Sequence, residues 1–465
     1  MPKVIPADKK ACIKRCFEEY KKDRPDFSNE NIFERLSRIF ERNSNFSKTE
    51  HRVFSLETVT DASCDKIGTK PVVANQLLCF VIHGLSTKYV IPASYYFHQQ
   101  LNSKDLYKLT LKVLKLLHEC GFEVIRIVGD NHKSHVSLFK QFGNGKLENM
   151  VVHPFDPALR LLLSFDYCHL VKNCRNLFLD HDMASRDGVI TADYLKELLE
   201  VQQNLIIKPV RFLTKKHMYP SNLEKMKIYL AIQIFFPSVT ASIQYLADHG
   251  GQEYPHFKDS KATVTYMENI FKFFKIHDVS NRVQHIHQRD VNSAPYTSEN
   301  DVRLHWLKEE FPQYIKDIQS CSAEKRLKGL SKETADALIF TSNSSYLCIS
   351  YLLKDLNFYY VLTRRFSSDP VESIFAHVRL RGGSNDLTDC RAVEHALRQI
   401  LRSGLIKNVK SSNSLSTLEY ISEARLPTEN LQDPISEISN TKREHYLQNL
   451  KIYVSIWVLT IRLFK

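Results

Sequence analysis

From Arg52 onward the hydrophobic positions switch between two periods. "RVFSLETV" alternates and predicts a strand with one covered face. "QLLCFVIHGL" is a continuous apolar run, as expected of a strand covered on both faces. "KYVIPASYYF" is β-prone and follows a turn at Gly84. In "SKDLYKLTLKVLKLLHECG", Leu106, Leu109, Val113, Leu116, Leu117 and Cys120 recur at helical spacing, and Gly121 is a natural stop. "FEVIRIVGDN" predicts a strand that ends in Asp130, and "HVSLFKQF" begins another helix. The predicted order is strand, strand, strand, helix, strand, helix: an α/β domain with an antiparallel start.

Further along, "LRLLLSFD" predicts a strand ending in a second acid, Asp166. From about Cys168 to Leu362 the pattern is mainly helical and aromatic, as in "KMKIYLAIQIFF" and "YMENIFKFFK". There is no internal repeat and no low-complexity tract. Before the sheet, "DFSNENIFERLSRIFERN" offers Ser28 as a cap and Ile32, Leu36 and Phe40 on one face. The tail from about Asn408 is rich in Ser, Asn and Glu, yet closes on the apolar "IYVSIWVLTI", Ile452 to Ile461. That run falls short of the roughly 20 residues a bilayer demands and predicts a buried strand or helix. The expected division is a short helical arm (1–50), a first α/β part (51–167), a helical insertion (168–362), closing helices (363–407) and a polar tail with an apolar end (408–465).

Composition narrows the class. At 465 residues, 43% hydrophobic and 25% charged, the chain is globular and long enough for several domains. With 13 glycines, collagen-like and linker-rich architectures are excluded. Lys and Arg total 64 against 52 acids, a net charge of +12 spread along the chain, which suits contact with nucleic acid. Ten cysteines lack framework spacing, and "MPKVIPADKKACIKR" has no apolar signal region. Free thiols and no export signal point to the cytosol or nucleus, with no membrane association expected. The common phosphate loops GxxxxGK[ST] and GxGxxG are absent. Cys12, Cys16 and Cys64 begin a zinc-like pattern, but Ile67 stands where the next ligand is needed. His277, His285 and His287 likewise lack a fourth ligand.

Three stretches carry candidate chemistry. Asp130, at the end of an apolar strand, is placed either to turn the chain or to hold a hard divalent cation. "FDYCHLVKNCRN" crowds Asp166, His169, Lys172, Asn173 and Arg175 at a helix start, a face that could meet phosphate or water. In "SSDPVESIFAHVRLRGGSND", Asp369 fits an N-cap, Pro370 the first helical position and Glu372 the third, which is a capping box. Val371, Ile374, Phe375 and Val378 form its apolar stripe, with Glu372 on the flank.

Taken together, "ANQLLCFVIHGLSTKYVIPASYYF", "LLHECGFEVIRIVGDN", "HPFDPALRLLLSFDYCHLVKNCRNLF" and "SSDPVESIFAHVRLRGGSND" resemble the P-element family of DNA transposases, which includes THAP-containing members. The resemblance implies an RNase H-like mixed-sheet catalytic domain interrupted by a large all-α insertion that binds guanine nucleotide. It implies three carboxylates that hold Mg²⁺ for cleavage and strand transfer of DNA, in the nucleus, on transposon ends, with a homo-oligomer as a further expectation. By resemblance, Asp130 is the second acid, Glu372 the third, and Asp369 a position linked to the nucleotide, GTP. The first acid falls on "VFSLETVTDASCDKIG", where Glu57 matches best and Asp61 and Asp65 are the alternatives. The zinc-binding THAP module has no counterpart here. The resemblance therefore implies either a working transposase or a catalytically inactive descendant that binds DNA or regulates.

Overall fold

The computed structural model describes residues 76–85, 90–98, 101–367, 371–372, 374–376, 378, 393–397 and 452–462. The expected N-terminal arm, the "RVFSLETV" strand with Glu57, and the cap at Asp369 lie outside them. The chain forms two compact units. One takes the described residues up to Leu163 with those of 371–397 and 452–462; the other takes Ser164–Ser367.

The first unit is built on a six-stranded mixed sheet. Its strands are β1 (Gln76–Gly84), β2 (Val90–His98), β3 (Phe122–Gly129), β4 (Met150–His153), β5 (Asp156–Phe165, whose last two residues belong to the second unit) and β8 (Ile452–Arg462). The order across the sheet is β2-β1-β8-β3-β5-β4. β1 is buried from Leu77 to Gly84, as its unbroken apolar run requires. β2 is an edge strand, which is why it tolerates Pro92: a proline cannot donate to a neighbour. β1 and β2 pair antiparallel from Gln76 with His98 to His83 with Val90. The expected antiparallel start is therefore present.

The apolar end of the tail is an inner strand. β8 pairs antiparallel with β1, from Gln76 with Arg462 to Gly84 with Val454, and parallel with β3, from Phe122 with Ile452 to Gly129 with Val458. Sequence periodicity allowed strand or helix at this segment. Burial between two strand partners decides for strand, and its β-branched residues suit that place.

α1 (Ser103–Glu119) and α2 (Lys133–Phe142) follow the amphipathic pattern of their sequences. Asn102 caps α1, its Oδ1 accepting from the Asp105 amide at 2.8 Å. Residues 371–372, 374–376 and 378 are helical (α9); Val371, Ile374, Phe375 and Val378 are buried. They share one hydrophobic cluster with Leu77, Cys79 and Val81 of β1, Val128 of β3 and Trp457 of β8.

The second unit is mainly helical. Its longer helices are α3 (Tyr167–Asp180), α4 (Asp193–Gln203), α5 (Pro237–His249), α6 (Lys261–His277), α7 (Phe311–Glu324) and α8 (Lys332–Lys354). A two-stranded ribbon, β6 (Met183–Ser185) and β7 (Gly188–Ile190), interrupts the helices. The helical reading of this region missed it, although Asp187-Gly188 is a turn signal. Gly188 has φ +141°, a backbone conformation that side chains disfavour.

Candidate functional site

Asp130 is the first residue beyond β3 and stands at the end of the sheet where that strand finishes. Its Oδ1 lies 2.5 Å from Nδ1 of His135 and accepts the His132 backbone N–H at 3.2 Å. His132 in turn caps α2 through its Nδ1, which accepts from the Ser134 amide. The Gly129–Asp130 pair has a steric reason. A Cβ on Gly129 would meet Cγ of the His135 ring at 2.9 Å, so only glycine lets the buried imidazole approach the strand. Sequence reading missed His135; its signal was a histidine in the first turn of the helix that follows the acid.

Glu372 is half-buried on α9. The next turn of its helix packs on Val128, two residues before Asp130. The two acids are thus carried by elements packed on one another within one unit. Glu57 and Asp369 lie outside the described residues, as do Asp61 and Asp65.

Magnesium takes oxygen ligands in near-octahedral array, and a two-ion centre needs several carboxylates converging. Among the described residues no three His, Cys, Asp or Glu side chains gather closely enough to hold a metal ion. The described donor set therefore does not fit a two-metal centre.

Much of the "FDYCHLVKNCRN" stretch is buried, although His169 and Asn173 stay partly exposed. Asp166 is buried and caps α3, its Oδ2 accepting from the His169 amide at 3.1 Å. Lys172 and Arg175 are buried as well. Arg175 donates from Nη2 to the Lys225 carbonyl at 2.9 Å, and burial pushes its guanidinium down to about 10. Helical periodicity puts Lys172 and Arg175 on one face, and that face is buried rather than solvated.

The helical unit also encloses a polar network that the sequence reading did not single out. Asp278 follows α6 and is buried; burial raises its pKa, while Arg364 and Lys275 oppose the rise. Arg364 Nη1 lies 3.3 Å from Asp278 Oδ1, and the Tyr167 hydroxyl donates to the same oxygen at 3.3 Å. His277 stacks on Tyr167 and contacts the Ser345 hydroxyl through Nε2 at 2.9 Å. That gives one of the three metal-like histidines a core role. Lys275 Nζ lies 3.4 Å from Asp290, and burial lowers its pKa.

Comparison with known proteins bears on the fold and the family. Residues 40–143 match the family described as TNP-like, RNase H N-terminal domain, and residues 168–290 match the TNP-like, GTP-binding insertion domain. The chain resembles the P-element transposases. It is 23% identical over 345 residues to the transposable element P transposase of Drosophila melanogaster, covering 73% of this chain and 43% of that protein. It is 21% identical over 335 residues to the human DNA transposase THAP9, covering 70% of this chain and 35% of that protein. The chain thus spans less than half the length of these curated relatives. Its fold resembles the Drosophila P element transposase in a strand transfer complex, with a TM-score of 0.61 at 19% identity, covering 88% of this chain and 93% of that one. The P-element-like chain accordingly has the expected α/β architecture, an RNase H-like mixed sheet with a helical insertion.

Proposed function

We propose that this P-element-like chain is a transposase-derived nuclear protein that binds DNA through its RNase H-like unit and guanine nucleotide through its helical insertion, acting as a regulatory or binding partner rather than a strand-cutting enzyme. The observation that carries the reading is the pairing of Asp130, at the end of β3, with a Glu372 helix packed on the same strand, in the absence of a third converging acid among the described residues. Two of the acids expected of a phosphodiester site lie in one unit, while the donor set among the described residues is short for two ions. The insertion match over 168–290 supports the nucleotide, and the net charge of +12 suits a polyanionic partner. The relative solved as a strand transfer complex supports DNA of transposon-end type as that partner.

A second reading is a working transposase: Mg²⁺-dependent cleavage and strand transfer, with Asp130 and Glu372 joined by an acid from Glu57, Asp61 or Asp65. It is favoured by the position of Asp130 at a strand end, where acids commonly hold divalent cations. Asp369 as a nucleotide contact and assembly as a homo-oligomer belong to either reading. Titration calorimetry with GTP and fluorescence anisotropy with duplex DNA test the proposal. Saturable binding of both is expected, and failure to bind either would reject it.

A further inference from the structure

β8 lies between β1 and β3 and runs parallel to β3, so both strands finish at the end of the sheet where Asp130 follows Gly129. Gly129 pairs with Val458, so position 459 is the β8 position level with Asp130. On its other side, Leu459 is paired with Cys79. Cys79 and Trp457 both belong to the cluster against the helix of Glu372. Of the two strands beside β3, β8 is the one with a residue in the cluster of the Glu372 helix, so a third carboxylate near both acids would come most directly from it. Its sequence, "IYVSIWVLTIR", contains no acid, and neither does "QLLCFVIHG" of β1.

We propose that β8 fixes this chain in a DNA-holding, non-cutting form, because it fills the sheet position beside Asp130 with a strand that carries no carboxylate. The inference rests on the DNA-binding reading above and adds its cause. It is a built-in replacement rather than a removable lid. β8 is hydrogen-bonded on both sides, and without it β2-β1 would separate from β3-β5-β4.

The test uses the full chain, duplex and supercoiled plasmid DNA, and Mn²⁺ or Mg²⁺ alone as the metal probe. The native chain is expected to bind duplex DNA equally well in EDTA and in Mg²⁺, and to leave plasmid un-nicked. Leu459→Asp is expected to gain Mn²⁺ affinity on the order of tenfold or more over both the native chain and Leu459→Asn, since changing even an outer-shell partner of a metal ligand alters affinity by about that much. If Leu459→Asp fails to fold, Ile461→Asp, two residues along β8 and paired with Leu77, replaces it. Metal-dependent nicking by the native chain that is lost in Asp130→Asn would overturn the inference. So would a folded acidic variant that gains no metal affinity. Absence of DNA binding in EDTA would overturn the functional reading instead, while the Mn²⁺ titrations still judge the strand.

Discussion

His135 and Asp130 are held together, Nδ1 to Oδ1 at 2.5 Å, and Gly129 makes the space for it. The imidazole orients one carboxylate oxygen at the sheet end, as the partner of a functional acid commonly does. Gly129→Ala should drive a methyl into the ring and cost about 1–3 kcal/mol. The same substitution in a His135→Ala background should cost far less. A double-mutant cycle by urea denaturation checks this; equal costs in both backgrounds would show that the ring is not what requires glycine.

In the helical unit, Arg364→Leu would strand the buried Asp278 carboxylate. Breaking such a pair costs about 3–5 kcal/mol. Burial raises the Asp278 pKa, so the fold makes its protonation easier than in the unfolded chain. The loss should therefore shrink as pH falls and Asp278 takes up its proton. Urea midpoints of native and variant chains, compared at about neutral pH and at mildly acid pH, read this directly.

Two histidines make the sheet unit sensitive to acid. Burial pushes His98 down to about 4. Burial, then the neighbouring His118, pushes His153 down to about 4 against the attraction of Asp156. Their folded pKa values lie below the unfolded value, so the unfolded chain binds protons first. Their contribution is complete above the unfolded pKa of about 6.5 and is lost as pH falls toward about 4. The melting temperature should drop across that window, and His153→Phe should flatten part of the drop. An unchanged slope in that variant would remove His153 from the account.

Asp166→Ala should cost about 1 kcal/mol, the value of a helix cap, because Asp166 accepts from the His169 amide at the start of α3. Asp166→Asn should recover most of this, since its carbonyl oxygen can accept the same bond. Thermal unfolding of the two variants distinguishes a cap from a charge-dependent role: equal losses in both would contradict the cap.

Much of the sheet unit is legible in the sequence because each element has a local period. β1 shows as an unbroken apolar run, α1 as a helical stripe closed by Gly121, and β3 as a run that ends at Asp130. The place of β8 is not legible, because pairing partners lie hundreds of residues away and an apolar run names no neighbour. Polar residues misled for the opposite reason. Lys172 and Arg175 read as a surface face, yet both are buried in the helical unit. By its own spacing Glu372 was legible only as the flank of a capped helix, and its link to Asp130 came from the resemblance; the structure adds the cluster of Val128, Ile374 and Trp457 that carries the two elements.

The central claim, that this chain holds DNA without cutting it, is tested most directly by a time course of supercoiled plasmid incubated with the native chain in Mg²⁺. The account predicts that a chain which retards the plasmid in a gel leaves it fully supercoiled. Conversion to nicked circles by the native chain, and not by Asp130→Asn, would contradict it.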